Sequence, residues 1–416
     1  MSSGLLHHNE AVERLGFWDF RGMIWINKSA FSDLRLVALT LPFLFASAVG
    51  AAERPAGVNV GLFSTDHRDA ADVVADVNAR RVLEARAAGF RLLRLGVPFD
   101  AWTRKQDPAE QARVLNVAVA TVQAALAAGM TLDIAPFASQ REVVCQRVEW
   151  DGYVSAISSL LERLPDVRAV GLEALNEPPA CPGDRGANTA WADAQQTLYR
   201  LIREKLPHTT FVVAGAAWGG VDGLVALDPT PYLKDENTEF TFHYYAPFLF
   251  THQATSWLRA DHANKYVHDL DWPVEEKNRL AVETQALKAL SSDPDAKPVL
   301  RKSLEDLFES YKTEGAEGFP AQQFQRVADW ADAHHIARER ILFGEFGVRR
   351  VHQDGGPTGD PWPTSATWLK AMRDQADAEG FVWAVWNLDG SFGVICGDQP
   401  GHGDLCPAYR GVFSTR

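Results

Sequence analysis

The chain has 416 residues, of which 46% are hydrophobic and 23% are charged, and its formal net charge at pH 7 is -13. This composition allows a large buried core and excludes fibrous and disordered proteins. The acidic balance argues against nucleic acid or an anionic membrane surface as a partner, and its simplest role is to keep the protein soluble.

The N-terminal region is predicted to be an export signal. Lys28 and Arg35 form a basic flank, residues 36–45 form an apolar core, and the small residues at 46–51 offer cleavage sites. The apolar run is short for a bilayer span, which favours cleavage over stable insertion in a membrane. Met23 is an alternative start, because the residues before it extend unusually far upstream of such a signal.

This reading predicts two parts of the chain. Residues 1–52 are an N-terminal extension with the signal peptide, and residues 53–416 are a single folded domain. The mature protein is therefore expected in the periplasm or outside the cell.

Beyond the signal, short apolar runs alternate with longer amphipathic ones. The amphipathic runs, such as 71–89 and 108–129, are predicted helices, with Gly89, Gly129 and Gly380 as C-terminal stops. Eight strand–helix repeats predict an α/β fold of the (β/α)8 TIM barrel type. The predicted strands are 58–63, 91–97, 131–137, 169–176, 211–216, 239–245, 341–347 and 381–387.

Two features of this pattern leave alternatives to weigh. A doubly wound open sheet is less favoured, because residues 64–69 (STDHRD) stand where a Gly-rich phosphate turn would follow the first strand. The interval between the sixth and seventh strands is far longer than one helix requires. It is predicted to be an enlarged connection with extra helices, broken at 292–298, rather than a separate domain, because no linker-like composition flanks it.

All four cysteines lie in the mature part, in polar, loop-like sequence. An even count in an exported chain favours two disulfides, with Cys396–Cys406 as the local pair and Cys145–Cys181 as the remaining one. Metal binding is the weaker interpretation, because the spacings match no zinc pattern and no histidine lies at ligand distance from the cysteines.

Two glutamates come where predicted strands end. Glu177 closes the fourth strand and Glu345 lies at the end of the seventh, and in a TIM barrel both ends meet over the mouth. A buried strand rarely ends on an unpaired carboxylate, because that charge is costly to bury. Two facing carboxyls suit the cleavage of a glycosidic bond, provided that a cation such as Arg94 helps to separate their pKa values.

The motifs around these glutamates carry a family resemblance. LEALNEP ends in an Asn-Glu-Pro motif and GEFG surrounds the second glutamate. From about residue 57 to 393, the chain resembles glycoside hydrolase family 5, a group of retaining, cellulase-like β-glycanases built on TIM barrels. The resemblance implies that Glu177 is the acid/base, that Asn176 binds the sugar's 2-hydroxyl, and that Glu345 is the nucleophile.

Further positions follow the same family pattern. Arg94 matches its second-strand arginine, His243 and Tyr245 match its His-x-Tyr motif, and Trp386 matches its eighth-strand tryptophan. Tyr245 is expected to hydrogen-bond Glu345 and, with Arg94, to keep it ionised, while His243 orients the substrate or the acid. Trp386 is expected to face a sugar ring rather than to pack in the core.

Other aromatic and polar positions are open between binding and structure. Trp218, which ends the fifth strand, is a candidate for a further sugar subsite, with core packing as the equal alternative. In residues 248–257, a substrate-lining role and a loop-building role are balanced. The candidates in that segment are Thr251, His252, Gln253 and Trp257.

The third strand departs from the family pattern. Many members carry a histidine at its end, and here Ala135 and Pro136 stand at that place. A sugar contact near the cleavage point is therefore missing or is supplied from elsewhere. Asp133 and Glu173 lie inside strands, and Glu173 is expected to be a buried structural ion rather than a catalyst.

The leading functional hypothesis is a glycosidase that acts by double displacement on a β-glucan, with endo-β-1,4-glucanase first. The alternatives are a β-1,3-glucan or mannan hydrolase, a transglycosylase that remodels exported glucan and, more distantly, a non-catalytic glycan-binding barrel. The expected partner is a polysaccharide or oligosaccharide. Paired carboxylates need no metal or organic cofactor, so none is expected.

Overall fold

Eight parallel strands close into a barrel in chain order, each hydrogen-bonded to the next and the last to the first. This confirms the predicted TIM barrel. The computed structural model describes residues 56–62, 71–183, 189–256, 263–350, 361–397 and 401–413. The strands are β1 (Ala56–Gly61), β2 (Leu92–Pro98), β3 (Thr131–Phe137), β4 (Val170–Glu173), β5 (Thr210–Ala214), β6 (Thr238–His243), β7 (Ile341–Glu345) and β8 (Val382–Val385).

Helices surround the barrel, and a small hairpin follows it. The hairpin pairs β9 (Ile395–Cys396) with β10 (Asp404–Leu405) in antiparallel fashion. The predicted export signal at 1–52 lies outside the described residues. The helices are α1 (Ala71–Ala87), α2 (Pro108–Ala127), α3 (Gln140–Val144), α4 (Trp150–Leu161), α5 (Thr189–Lys205), α6 (Val221–Val225), α7 (Phe248–Thr251), α8 (Glu276–Ser292), α9 (Val299–Glu314), α10 (Phe319–Ala333), α11 (Ser365–Glu379) and α12 (Arg410–Phe413).

The enlarged connection lies between β6 and β7, as predicted, and consists mainly of α7 to α10. Helix α8 ends at Ser292 and α9 begins at Val299, so the predicted break is confirmed. The carboxylate of Glu275 caps α8 by accepting the backbone N–H groups of Lys277 and Asn278. Such a cap satisfies donors that the first helical turn cannot pair.

Strand alternation divides the apolar residues between two cores. The larger core lies between the strands and the helices and includes Leu93 and Phe343. A smaller cluster of Leu92, Val212 and Leu342, with Ala384, is separate from it. Because successive side chains of a strand point to opposite faces, this second cluster fills the barrel interior. Arg94, two residues beyond Leu92, therefore also points inward, on the side towards the mouth.

No helix in the described part of the chain combines the length and the apolar character needed to cross a membrane.

Candidate active site

Glu177 reaches the barrel mouth from an irregular segment and not from a strand. The predicted fourth strand continued to residue 176, but β4 ends at Glu173. The backbone at Glu177 has φ 49°, a left-handed conformation that cannot continue an extended strand. Asn176 still donates its N–H to the Pro136 carbonyl at 2.8 Å, so the end of β3 holds the segment in place.

Glu345 is the last residue of β7, and an irregularity turns its side chain into the mouth. Alternation alone would place it with Phe343, which packs against the helices. The β6–β7 register shifts, however, so that Phe242 pairs with Phe343 but His243 pairs with Glu345. Such irregularities re-aim side chains. A Cβ on Gly344 would lie 2.6 Å from the Thr241 hydroxyl, so this strand end requires glycine.

The two glutamates and His243 converge. The imidazole Nδ1 of His243 lies 3.1 Å from Glu177 Oε1 and 3.6 Å from Glu345 Oε2. One oxygen of each carboxylate and a ring nitrogen of the histidine all lie within 4.8 Å of one another. The two carboxyls can therefore act on opposite sides of a single bond.

Glu345 is held by two donors. Arg94 donates from Nη1 to Oε1 at 2.5 Å, and the Tyr245 hydroxyl donates to Oε2 at 2.9 Å. The Glu345 side chain is only 5% exposed, so solvent screens these contacts weakly. Both donors favour the carboxylate form, as expected from the sequence.

Burial nevertheless dominates the pKa values of both carboxyls. Burial raises the pKa of Glu177 to about 7; Arg94 opposes this shift and Glu173 adds to it. Burial also raises the pKa of Glu345, against the opposing effects of His243, Arg94 and the Tyr245 hydrogen bond. Arg94 and Tyr245 therefore act in the direction expected from the sequence, since both favour the carboxylate, but they limit a rise in the pKa of Glu345 that burial causes.

Arg94 is the centre of this network. It is fully buried and donates to both oxygens of Glu173 at 2.7 and 2.9 Å, and to the side-chain oxygens of Asn59 and Asn176 at 2.8 Å each. Burial alone would lower its pKa, but Glu173 and Glu345 raise it, so the guanidinium stays charged. Glu173 is 1% exposed, in keeping with its predicted role as a buried structural ion.

Asn59 is a site residue that the sequence analysis missed. Besides accepting from Arg94, it donates to the Gly344 carbonyl at 2.9 Å, beside Glu345. The available signal was an amide side chain in the middle of the buried strand β1. A buried amide must find partners, and here these partners join β1, β2 and β7.

The tryptophans predicted to contact sugar both lie near the mouth. Trp386 follows β8, is partly buried and stacks on Phe137 with a centroid distance of 6.1 Å. The Trp218 side chain belongs to a residue that is 50% exposed, and the backbone N–H of Trp218 donates to the carbonyl of Pro178, the residue after Glu177. Phe137 comes directly after Ala135 and Pro136, so the third strand supplies an aromatic ring near the place where a histidine was expected.

Within the described residues 248–256, Thr251 and His252 contact Tyr245 and support its position. His252 is buried and stacks on Phe248 at 4.0 Å, with its edge towards Tyr245 at 5.1 Å. The hydroxyl of Thr251 donates to the Tyr245 carbonyl at 2.7 Å. Both residues therefore position Tyr245, and neither lines an open cleft.

Gln253 favours the loop-building role, one of the two alternatives that the sequence leaves open for this segment. Its side chain is fully buried, and its amide both donates to and accepts from the backbone of Leu270. These two hydrogen bonds hold the loop together, and the full burial of the side chain keeps it away from a substrate. Trp257 lies outside the described residues.

The structure contains both expected disulfides. Cys145–Cys181 joins the segments that follow β3 and β4, and Cys396–Cys406 closes the β9–β10 hairpin. The guanidinium of Arg350 lies 2.8 and 2.6 Å from the two sulfurs of the hairpin bond.

The cluster of Glu177, His243 and Glu345 also has the donor types of a metal site. Arg94 already contacts Glu345 at 2.5 Å, and its guanidinium would repel a metal cation at that carboxylate. The donor set is therefore better suited to proton transfer and nucleophilic attack than to metal binding.

Comparison with known proteins gives consistent results. The chain is 26% identical over 223 residues to Endoglucanase 3 of Fibrobacter succinogenes; the match covers 54% of the chain and 30% of that relative's length. The fold is similar to that of cellulose synthase subunit Z from Clostridioides difficile, with a TM-score of 0.61 at 18% identity, covering 87% of this chain and 100% of that one.

A cellobiose complex of Thermotoga maritima Cel5A is also similar, with a TM-score of 0.58 at 18% identity, covering 86% of this chain and 97% of that one. At such identities the structures show the shared fold alone. The sequence model described as Cellulase (glycosyl hydrolase family 5) matches residues 56–391, which is most of the chain. The chain therefore belongs to glycoside hydrolase family 5, a family of enzymes that hydrolyse glycosidic bonds.

Proposed function

We propose that the protein is a retaining β-glucanase that cleaves internal β-1,4 bonds. The observation that carries this proposal is the approach of Glu177 and Glu345 to within 4.8 Å. Carboxyls about 5 Å apart leave room for one to attack the sugar directly, whereas inverting enzymes keep theirs about 6.5–9.5 Å apart to admit a water molecule.

The contacts support a different role for each carboxyl. Glu345, paired with Arg94 and Tyr245, attacks the anomeric carbon as a carboxylate and forms a glycosyl ester. Glu177, with a pKa of about 7, is protonated below neutral pH and gives its proton to the departing oxygen. It then takes a proton from a water molecule, which attacks the ester and releases Glu345. The two inversions at the anomeric carbon amount to retention.

Similarity supports a glucan as the substrate. The Fibrobacter relative is named an endoglucanase, and the Clostridioides neighbour is named as a subunit of cellulose synthase. The Thermotoga neighbour, however, is also described in complex with mannotriose. Mannan therefore remains an alternative substrate, and a neighbour connected with cellulose synthesis keeps remodelling of the producer's own glucan as the alternative role.

We further propose that the enzyme works outside the cytoplasm. Cys145–Cys181 and Cys396–Cys406 would not persist in a reducing cytosol. The net charge of -13 favours neutral glycans over nucleic acid as partners.

The decisive experiment combines a substrate panel with active-site labelling. The protein is incubated with β-1,4-, β-1,3-, β-1,6- and mixed-linkage glucans and with β-mannan, and the products are resolved by mass, linkage and anomeric configuration. We expect short β-configured oligosaccharides from a β-1,4-glucan. Products of α configuration would refute retention. Products longer than the starting oligosaccharide would indicate a transglycosylase. Products from mannan alone would show that the substrate is mannan and not a glucan.

Labelling tests the assigned nucleophile. A 2-fluoro-glucoside with a good leaving group should form a stable ester, and peptide mapping should locate it on Glu345. The variant Glu345→Gln should not be labelled. An ester on another residue would overturn the assignment, and an intact enzyme that neither labels nor cleaves any of these glycans would favour a non-catalytic glycan-binding barrel.

A further inference from the structure

The barrel interior beneath Glu345 holds more carboxyls than cations. Arg94 lies 2.5 Å from Glu345, 2.7 Å from Glu173 and 3.6 Å from Asp133. All four side chains are 5% exposed or less, so water cannot screen their charges. A single guanidinium cannot balance three carboxylates, and an uncompensated buried charge is strongly unfavourable. His243, 3.6 Å from Glu345, adds little positive charge at neutral pH, because burial lowers its pKa. At least one of these carboxyls must therefore hold a proton.

The contacts show which carboxyl is the best candidate. Glu173 accepts two hydrogen bonds from Arg94, and Glu345 accepts one from Arg94 and one from Tyr245. As a carboxylate, Asp133 finds no donor among the described residues for either of its buried oxygens. It faces the same arginine nitrogen as Glu173: Arg94 Nε lies 3.6 Å from Asp133 Oδ2 and 2.7 Å from Glu173 Oε1. Two neighbouring buried carboxyls attract each other only when one of them is protonated.

The surrounding charges place the proton on Asp133. Burial, Glu173 on β4 and Glu239 on β6 raise its pKa well above the usual range, and only Arg94 on β2 opposes them. For Glu173, burial has the same upward effect, but Arg94 and His243 lower its pKa below the usual value. Asp133 therefore binds a proton at a pH at which Glu173 is ionised.

We propose that Asp133 is a neutral carboxylic acid at working pH, which keeps its proton, donates a hydrogen bond to the Glu173 carboxylate and so positions Arg94 for Glu345. The Asp133–Glu173 pair then carries one negative charge instead of two. A second charge would draw Arg94 away from Glu345 and disfavour the carboxylate that attacks the sugar. Asp133 is a positioning residue in this scheme, which rests on the proposed function of Glu345.

A double-mutant cycle tests the charge of the pair. Asp133→Asn keeps a donor towards Glu173 and leaves one charge; Glu173→Gln lets Asp133 ionise and also leaves one charge. Each single variant should keep the acid limb of the kcat/KM–pH profile within a few tenths of a pH unit. The double variant removes the last negative charge of the pair. The apparent pKa of the acid limb should then fall by about 1 pH unit or more. Two independently ionised carboxyls would instead give a shift in each single variant.

Infrared spectroscopy tests the proton itself and needs no substrate. Protein labelled with 13C-aspartate should show a protonated-carboxyl band at pH 7 that disappears in Asp133→Asn and persists in the matched surface variant Asp295→Asn. Persistence of the band in folded Asp133→Asn, or its absence from the wild type, would overturn the proposal. A normal band in a protein that cleaves no glycan would refute the proposed function while leaving the shared proton in place.

Discussion

The hydrogen bond from Tyr245 to Glu345 provides a quantitative test of the assigned nucleophile. Tyr245→Phe removes one hydroxyl, which donates to Oε2 of Glu345 at 2.9 Å, and leaves the ring in place. A hydrogen bond to a charged group contributes about 1.5–3 kcal/mol, and Glu345 is 4% exposed, so little of this is lost to solvent. Because one pKa unit corresponds to about 1.36 kcal/mol, the loss of this hydrogen bond should raise the pKa of Glu345 by about 1–2 units.

The sign of the effect follows from the role of Glu345. The nucleophile must be ionised to attack, and Tyr245 stabilises the ionised form. Losing the hydroxyl therefore moves the acid limb of the kcat/KM–pH profile upward by about 1–2 units. On the acid side of the profile, this corresponds to a rate about 10- to 100-fold lower at a given pH. Because the pKa of Glu177 is about 7, the profile should also become narrower.

The neighbouring tyrosine offers a matched control. Tyr244 is buried, and its hydroxyl has no hydrogen-bond partner among the described residues. Tyr244→Phe should therefore leave the acid limb unchanged. If Tyr245→Phe also leaves the limb unchanged while cleavage continues, Glu345 is not the group that must be ionised and the assignment is wrong.

Three further predictions use other parts of the site. Glu177→Gln should lower kcat on a glucan by about 10²–10⁴-fold, yet have far less effect on an aryl glycoside whose leaving group needs no proton; equal losses would contradict its role as the acid. The same variant should lose the alkaline limb that the pKa of about 7 for Glu177 predicts for the wild type. Replacing Cys145 and Cys181 by serine should remove about 4 kcal/mol of unfolding free energy, for a 36-residue separation; calorimetry showing no change would contradict this. Trp218→Ala should raise KM for long oligosaccharides more than for short ones, and a uniform change would argue against a sugar subsite.

Much of the fold could be predicted because barrel strands and helices leave strong periodic signals. The third and seventh predicted strands begin where β3 and β7 begin, at Thr131 and Ile341. The break between α8 and α9 could be predicted because Asp293, Pro294 and Pro298 cannot sustain a helix there. Strand ends were less predictable, because apolar residues such as Ala174 and Leu175 remain buried after the ladder has stopped.

The candidate site was predictable where a single motif places a residue and less so where several strands combine. Glu177 follows β4, Glu345 ends β7 and Arg94 lies within β2, and a barrel brings these three neighbourhoods together. The side-chain direction of Glu345 depends on the β6–β7 register shift, which no period in the chain reports. The role of Asn59 likewise depends on carbonyls more than 280 residues away.

The net pKa directions show why motif reading and structure diverge at this site. A motif identifies Arg94 and Tyr245 as donors to Glu345, but it does not report how deeply that carboxyl is buried. Burial raises the pKa of Glu345 more than its donors lower it, so the ionised nucleophile depends on every charge that competes for Arg94. Asp133 and Glu173 are those competitors. A proton held between them reduces the negative charge of the pair and so weakens its attraction for the Arg94 guanidinium. Residues that the motifs treat as scaffold therefore help to set the pH range in which the proposed nucleophile can act.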